Sequence, residues 1–451
     1  MLFRQYLGRS SVMTTGLSVK IDFTLKPISA FLTFMKTFRN LAAVGLFLGS
    51  LVFSSHATFS SIYIWGDSLS ATTTNGVIGT PQASYYYGTR YSNGRTWVEV
   101  LAERQGMGAN SRTNLIWAFS SNNVSYYGHY SSSFTSDIQS QPSAYPANGL
   151  FVVWVNNADF VGDMLAGAVG DPYNKNHGTN AANWAAVINQ HLANHSNFIT
   201  TLYNKGCRTL IAPNAADVTV IPYFNNAGTP AWRAFVRQQI VNFNASYVTM
   251  LQQISANAPS LKIYTPDIYS LLNNVLASAS SYGLTNALLS GQPIDVLDSL
   301  GNVAKDGIGA NYIFWDDTNP TAAMSEVIAD FCQQYLSPVR IAGLKQVNGS
   351  NRLDLVNMPI GLSGCLDNST NLTTASWTLA TSFDSIANSQ SIFIPTPPLP
   401  AGFGLGGGSG GGGGGSIDPN NPGTNAPSTN AVFNSASQFY RLRFPYAWNW
   451  P

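Results

Sequence analysis

The chain has 451 residues, in which 22 Lys and Arg balance 21 Asp and Glu to a net charge of +1, and charged residues make up only 10%. A nucleic-acid-binding protein needs a clustered excess of Lys and Arg, and no run of this sequence supplies one. An apolar content of 45% with 12% aromatic residues excludes a wholly disordered chain. We therefore expect a nearly neutral globular protein of two or three domains, without nucleic-acid binding.

Residues 1–57 are predicted to be an N-terminal extension and a signal peptide. The apolar run at 41–53 (LAAVGLFLGSLVF) is too short to span a bilayer and follows two basic residues. Small residues occupy the third and the first position before a cleavage site ahead of Thr58. The alternative, a buried core helix, requires neither the basic flank nor these small residues. We expect a mature chain without a transmembrane segment, secreted or held in the periplasm or at the cell surface.

From residue 58 to residue 338, short apolar runs alternate with longer amphipathic segments, which is typical of a sheet with helices on both faces. Strands are predicted at 61–65, 150–155, 208–212, 261–265 and 312–314. Helices are predicted at 183–203, at 231–256 and after Pro320-Thr321, because proline is favoured at a helix entry. This pattern predicts a three-layer α/β/α domain with a mainly parallel sheet.

Residues 339–451 have the pattern of a small all-β domain. Short alternating runs at 352–356, 377–380, 391–394 and 439–443 are separated by turn-forming residues. A glycine-rich insertion at about 402–430 is predicted to be a flexible, disordered loop.

Cysteine and histidine spacing gives no reason to expect a metal or a cofactor. The three cysteines, Cys207, Cys332 and Cys365, allow at most one disulfide, and the first two are expected to be small buried apolar residues. His191 and His195 lie four apart on a predicted helix, a spacing that can bind metal, but no third ligand is evident. We therefore predict neither a metal site nor a cofactor.

The residues that indicate chemistry begin directly after the first predicted strand, at Gly66-Asp67-Ser68-Leu69-Ser70. A serine between such a strand and a helix is exposed at the edge of a parallel sheet, where backbone N–H groups point at it. With the block YSNGRTWVE at 91–99, this sequence resembles the GDSL (SGNH-hydrolase) family of esterases and lipases. That family shows GDSLS, then an F/YSNGR block, then GxND, and finally DxxHPT before the last helix.

The resemblance covers residues 60–338 and implies an SGNH-like fold that hydrolyses esters by serine acyl transfer. Ser68 matches the nucleophile, whose backbone N–H also serves the oxyanion hole, and Gly94 matches the second oxyanion donor. Asp316 matches the acid that orients the catalytic histidine. At the position of that histidine the chain has Asn319.

The GxND block also departs from the family. In VNNADF at 155–160, Asn156 replaces the glycine and Ala158 replaces the oxyanion-hole asparagine. Asn156 or Asn157 could turn an amide into the hole instead. Asp67 and Asp159 are expected to hold the active-site loops through backbone hydrogen bonds.

A serine hydroxyl needs a base to remove its proton, and an asparagine amide cannot accept that proton at neutral pH. His56 lies in the predicted signal peptide, so His129 and His177 are the remaining loop histidines. Either could approach Ser68 if its loop folds over the sheet edge, although a solvent-exposed role is the default.

Two further features bear on the ligand. Aromatic side chains at Tyr85, Tyr86, Tyr87 and Tyr91 could line a sugar or acyl groove, or only pack on a loop. The tail, with MPIGL at 358–362 and QFYRL at 438–442, resembles a small β-sandwich-like module of exported bacterial proteins. That resemblance leaves open a cell-surface or polysaccharide contact and an inert spacer.

Two hypotheses for function follow. The first is a secreted GDSL-type ester hydrolase that acts on a small ester, a lipid ester or an acylated glycan. The second is a catalytically impaired relative that binds a glycan or an ester without turnover. Membership of the family favours the first, and the changes at Asn319 and Ala158 favour the second.

Overall fold

The computed structural model describes residues 59–72, 85–107, 122–166, 178–289, 292–301, 303–348, 350–369, 377–395 and 439–444. All of these residues belong to one compact unit, Ser55–Pro451. The predicted signal peptide and the predicted glycine-rich loop lie outside the described residues.

A four-stranded parallel sheet forms the centre of the fold. Its strands are β1 (Ser61–Gly66), β2 (Gly149–Trp154), β3 (Thr209–Ile211) and β4 (Lys262–Tyr264), in that spatial order. Every residue of β2 is buried, as expected of a parallel strand that is covered on both faces. The first four predicted strands are therefore confirmed.

Helices flank this sheet. They are α1 (Trp97–Arg104), α2 (Phe134–Gln139), α3 (Asn156–Ala166), α4 (Ala181–Asn204), α5 (Pro222–Ala227), α6 (Pro230–Asn257), α7 (Ile268–Ala277), α8 (Val296–Leu300) and α9 (Ala322–Leu336). Thr321 caps α9 by accepting a hydrogen bond from the Met324 amide at 3.1 Å, which fixes where the last helix begins. Within the described ranges, no helix is long and apolar enough to cross a membrane.

The predicted strand at 312–314 is wrong. These residues form only isolated bridges, in which Phe314 pairs with Asp295 on one side and with Pro320 on the other. The Trp315 amide donates to the Asn319 carbonyl at 2.8 Å, so the chain turns back at once instead of extending. Three apolar residues followed by a tight turn are too short a run to join the sheet.

The C-terminal residues form antiparallel β-structure. The strands are β7 (Arg340–Val347), β8 (Ser350–Val356), β9 (Ser363–Ser369), β10 (Thr378–Asp384), β11 (Ser389–Pro395) and β12 (Phe439–Arg443). They make two three-stranded sheets, with orders β10-β9-β12 and β11-β8-β7. A short hairpin of β5 (Leu288–Leu289) and β6 (Gln292–Pro293) precedes α8. The predicted all-β character of the tail is confirmed, although β7 and β9 were not predicted.

The apolar side chains divide into two separate cores. The larger core belongs to the parallel sheet and its helices, and the smaller includes Leu353, Leu366 and Leu442. Between them, buried Arg104 of α1 donates to Asp330 at 2.7 Å and to the Ile360 carbonyl at 3.2 Å. The cysteines Cys207, Cys332 and Cys365 are free thiols, and the first two are buried.

The domain boundary at residue 338 stays a prediction, and removal of the tail tests it. A fragment of residues 58–338 is expected to unfold cooperatively, because its apolar core is complete without the tail. It should be less stable than the full chain, since Arg104 loses its Ile360 partner. Thermal unfolding followed by circular dichroism measures both. A fragment that is compact but melts without a transition would contradict the boundary.

Candidate active site

The nucleophile turn is built by close packing at the end of β1. A Cβ on Gly66 would lie 2.6 Å from Ser70 Cβ, so only glycine fits there. Asp67 then caps a single 3₁₀ turn, Ser68–Ser70, by accepting a hydrogen bond from the Leu69 amide at 3.0 Å. Ser68 is half-buried and lines a pocket beside the end of β1.

Asp67 lies beneath this turn and is almost fully buried. Burial raises the pKa of Asp67 to about 7. The Leu69 amide, the nearby His129 and the Ala158 amide each lower this pKa and so oppose the rise. The carboxyl thus bonds backbone groups on both sides of the pocket. This is the loop-holding arrangement that was expected of Asp67.

The YSNGR block fits onto the start of α9. Ser92 Oγ donates to the Pro320 carbonyl at 3.0 Å, and Asn93 Oδ1 accepts from the Ala322 amide at 2.8 Å. A Cβ on Gly94 would lie 2.6 Å from Ala322 Cβ, so the block requires glycine at that point. These contacts place Gly94 beside the loop that carries Asp316.

Asp316 organises that loop. Its Oδ1 accepts from the backbone amide of Asn319 at 2.6 Å and from the backbone amide of Thr318 at 3.0 Å. Its Oδ2 accepts from the Tyr86 hydroxyl at 3.1 Å. Burial raises the pKa of Asp316, while these hydrogen bonds oppose the rise.

Asn319 is the residue that the resemblance matches to the family's histidine, and it contacts Asp316, the residue matched to the acid. Its Nδ2 donates to Asp316 at 2.9 and 3.1 Å, the bond by which an acid orients an imidazole. The side chain is buried, and its Oδ1 has no hydrogen-bond partner among the described residues. Asp316 therefore orients an amide that cannot act as a base.

The start of α3 supplies the other wall. Asn156 is fully buried and donates to the Pro213 carbonyl at 2.9 Å, so the expectation that it turns into the oxyanion hole is wrong. Asn157 and Ala158 line the pocket with Ser68. Asn157 Oδ1 accepts from the Ala216 amide at 2.8 Å, and a place for Asn157 at the oxyanion hole stays a prediction.

His129 is not a relocated base. It was expected to be solvent-exposed or to approach Ser68, but it is completely buried. Its Nδ1 bonds the Gly66 carbonyl at 2.8 Å and its Nε2 bonds Asp137 at 2.7 Å, so both ring nitrogens are occupied. No described residue hydrogen-bonds the Ser68 hydroxyl. His177 and His56 lie outside the described residues.

His191 and His195 face α3 from one side of α4, as their spacing predicted. His191 Nε2 bonds Asp163 at 2.8 Å, and both histidines lie 3.6 Å from Asp159. Burial lowers the pKa of His195, while Asp163 and Asp159 outweigh burial at His191 and raise its pKa. The described residues contain no cluster of three or more metal-ligand side chains, and this pair holds α3 against α4.

Asp159 has a second role as an anchor. Its carboxylate accepts from the Ser131 amide at 2.9 Å and so joins α3 to the loop that bears Tyr127 and Tyr130. This contact fits the expectation that Asp159 holds a loop of the site by a backbone hydrogen bond.

The pocket at Ser68 has a volume of about 100 Å³, several times the roughly 15 Å³ that one water molecule needs by the same measure. Its wall is mainly apolar. It consists of Leu69, Trp154, Val161, Ala216, Val218, Ile221, Ile268, Leu272, Ile313, Phe314, Met324 and Ile328 together with the site residues. The paired positions on α7 and on α9 lie four residues apart, so the wall extends about one helical turn along each helix.

The aromatic residues at the pocket are not those expected from the sequence. Tyr127 and Tyr130 line it, whereas Tyr86 binds Asp316 and Tyr91 packs against Tyr127 with ring centroids 5.5 Å apart. Tyr87 instead faces the Arg90 guanidinium. A helical pattern indicates that a residue is buried, but not that it borders a cavity, so no pattern in the sequence predicts this wall.

Comparison with known proteins agrees with this geometry. The family model described as GDSL-like Lipase/Acylhydrolase matches residues 62–331, which is more than half of the chain. The chain therefore belongs to this family of ester hydrolases, and the predicted resemblance to the GDSL family is confirmed.

Among curated relatives, one GDSL esterase/lipase of Arabidopsis thaliana is 27% identical over 148 residues, covering 31% of this chain and 42% of the relative. A second from the same plant is 22% identical over 204 residues, covering 44% and 54%. The chain thus spans about half the length of these relatives. The crystal structure of phospholipase A1 from Streptomyces albidoflavus NA297 matches at 13% identity with a TM-score of 0.31, over 61% of this chain and 99% of that one.

Proposed function

We propose that this protein acts through Ser68 on an ester with an apolar acyl group, and that the loss of its general base keeps turnover slow. The observation that carries the proposal is the Asn319 amide bound to Asp316, at the point where the family has its base. Around it, the nucleophile turn and the pocket are intact.

In the proposed reaction, Ser68 Oγ attacks the ester carbonyl and the alcohol leaves, giving an acyl-serine that water hydrolyses. The backbone N–H groups of Ser68 and Gly94 stabilise the oxyanion. Without a base, the hydroxyl proton has to pass to solvent or to the leaving alcohol. In a serine protease with the same kind of mechanism, loss of the base alone lowers the turnover rate by about 10⁶-fold. The remaining rate is still about 10³–10⁴-fold above that of the reaction in water, because the oxyanion hole and substrate binding still contribute.

The apolar pocket wall supports the choice of acyl group. Each methylene buried there contributes about 0.8 kcal/mol, whereas a sugar hydroxyl would lose its water contacts without a polar partner. The more polar groups, Tyr127, Tyr130 and Thr318, also line the pocket and suit the alcohol portion. Binding without any turnover is the second candidate function, favoured by the methyl group of Ala158 in place of an oxyanion-hole amide.

Restoring the base tests the proposal directly. Asn319→His should raise hydrolysis of a short-chain activated ester by at least about 10²-fold, because an imidazole oriented by Asp316 can take the Ser68 proton. Adding Ala158→Asn should give a further rise of about tenfold or more through a second oxyanion donor. Ester cleavage is followed spectrophotometrically.

Three controls accompany this series. Asn319→Gln changes the size of the side chain without supplying a base and should give no rise, and Ser68→Ala should abolish hydrolysis in every background. A parent chain that already turns over at about 10 s⁻¹, the ordinary enzymatic rate, and loses that rate with His177→Ala would show a relocated base and defeat the proposal. If the double replacement stays inert while acyl ligands bind, the second candidate gains.

The acyl assignment has its own test. In a Ser68→Ala background, Ile328→Phe should weaken dodecanoate binding by about tenfold or more while butyrate binding changes little, because the added ring fills the pocket. Glu326→Phe is the matched control, since Glu326 is on the same helix but exposed. Calorimetric titration gives the affinities. Equal losses for both chain lengths would contradict an acyl pocket bounded by Ile328.

We further propose that the protein is exported and acts outside the cytoplasm. The support is the ordered basic flank, apolar run and small-residue exit of residues 36–57. Sequencing of material collected outside the cell should give a chain that begins near Thr58. Exported chains that still begin with Met1 would contradict this proposal.

A further inference from the structure

His129 lies directly behind the nucleophile turn, and the reaction proposed above does not use it. It has no solvent exposure. Its Nδ1 lies 2.8 Å from the Gly66 carbonyl oxygen and its Nε2 lies 2.7 Å from an oxygen of Asp137. Gly66 is two residues before Ser68, so this ring bonds the backbone that leads into the nucleophile.

Donor and acceptor chemistry restricts the protons of this ring. A carbonyl oxygen only accepts, so Nδ1 must carry a hydrogen. The carboxylate of Asp137 also accepts, and a neutral imidazole has only one N–H. The pair His129 and Asp137 therefore holds one proton more than a neutral ring beside an ionised carboxylate, shared across the Nε2 bond.

The surroundings place that proton on the ring. The Tyr126 ring stacks on His129 with centroids 4.4 Å apart and planes 16° from parallel, an arrangement that stabilises a cation over an aromatic face. Asp67 acts on the ring electrostatically from the other side. Phe134 meets His129 edge-on and separates it from His195.

We infer that His129 is an imidazolium that positions the Ser68 turn, donating from one ring nitrogen to the Gly66 carbonyl and from the other to Asp137, and favouring the ionised form of Asp67. The Asp67 carboxyl accepts from the Leu69 amide and bonds the Ala158 amide. One buried cation thus acts on the turn directly through Gly66 and also through Asp67. The inference does not depend on turnover.

The charge is read by nitrogen NMR of protein labelled at histidine, with the His129 signals assigned by their loss in His129→Gln. We expect both ring nitrogens to carry protons in the folded protein at neutral pH. A bare Nε2 there would overturn the inference. This readout is a property of the ring alone, so failure of the proposed hydrolysis leaves it unaffected.

The effect on Asp67 is read by carbon NMR of its carboxyl group, assigned by its loss in Asp67→Asn. Asp137→Asn lets a neutral ring keep both hydrogen bonds, because the new amide can donate to Nε2, but it removes the charge. The midpoint of the Asp67 titration should then rise by about one pH unit, a tenfold gain in proton affinity.

Asp163→Asn is the matched control, since Asp163 bonds His191 at 2.8 Å as Asp137 bonds His129. It should leave the Asp67 midpoint in place. An unmoved midpoint in Asp137→Asn, or an equal rise in Asp163→Asn, would contradict the coupling. If Asp137→Asn fails to fold, Asp137→Glu replaces it, because a glutamate keeps the negative charge beside His129. The Asp67 midpoint is expected to stay at its wild-type value in Asp137→Glu, and a raised midpoint in that variant would also contradict the coupling.

Discussion

The Asp316 carboxylate is the group on which one half of the site depends. It takes hydrogen bonds from Tyr86, Thr318 and Asn319, and so ties a loop near the YSNGR block to the turn before α9. A carboxylate that is withdrawn from water requires such partners, because its desolvation is costly. These hydrogen bonds fix the shape of the loop. Under the function proposed above, the loop keeps this shape without a base beside Asp316.

The other half depends on the end of β1. Gly66 allows Ser70 to approach, Asp67 bonds backbone on both walls, and His129 bonds Gly66 from behind. These interactions lie beneath Ser68 and leave its hydroxyl facing the pocket. The two halves differ in their partners, since Asp316 is held by hydrogen bonds from Tyr86, Thr318 and Asn319, whereas Asp67 lies near the imidazole of His129.

Much of this could be predicted from the sequence, because strand patterns and family blocks are local. The first four strands and α9 follow from short runs of residues. What could not be predicted depends on distant contacts. The Asn156 amide is directed by a carbonyl 57 residues away, and His129 is hydrogen-bonded to Gly66, 63 residues before it. The run at 312–314 has strand composition, but the turn at Asn319 prevents it from extending.

The contact between Asn93 and the Ala322 amide joins residues 229 positions apart, which bears on the order of events during folding. Parallel pairing and contacts of such long sequence separation form late, because closing the intervening loop costs entropy before the contact forms. The nucleophile turn has neighbours that are nearer in sequence, among them His129, 63 residues after Gly66. The YSNGR block lacks its partners until α9 has been synthesised and has docked. A chain that is still emerging from the ribosome therefore exposes its serine without an assembled site.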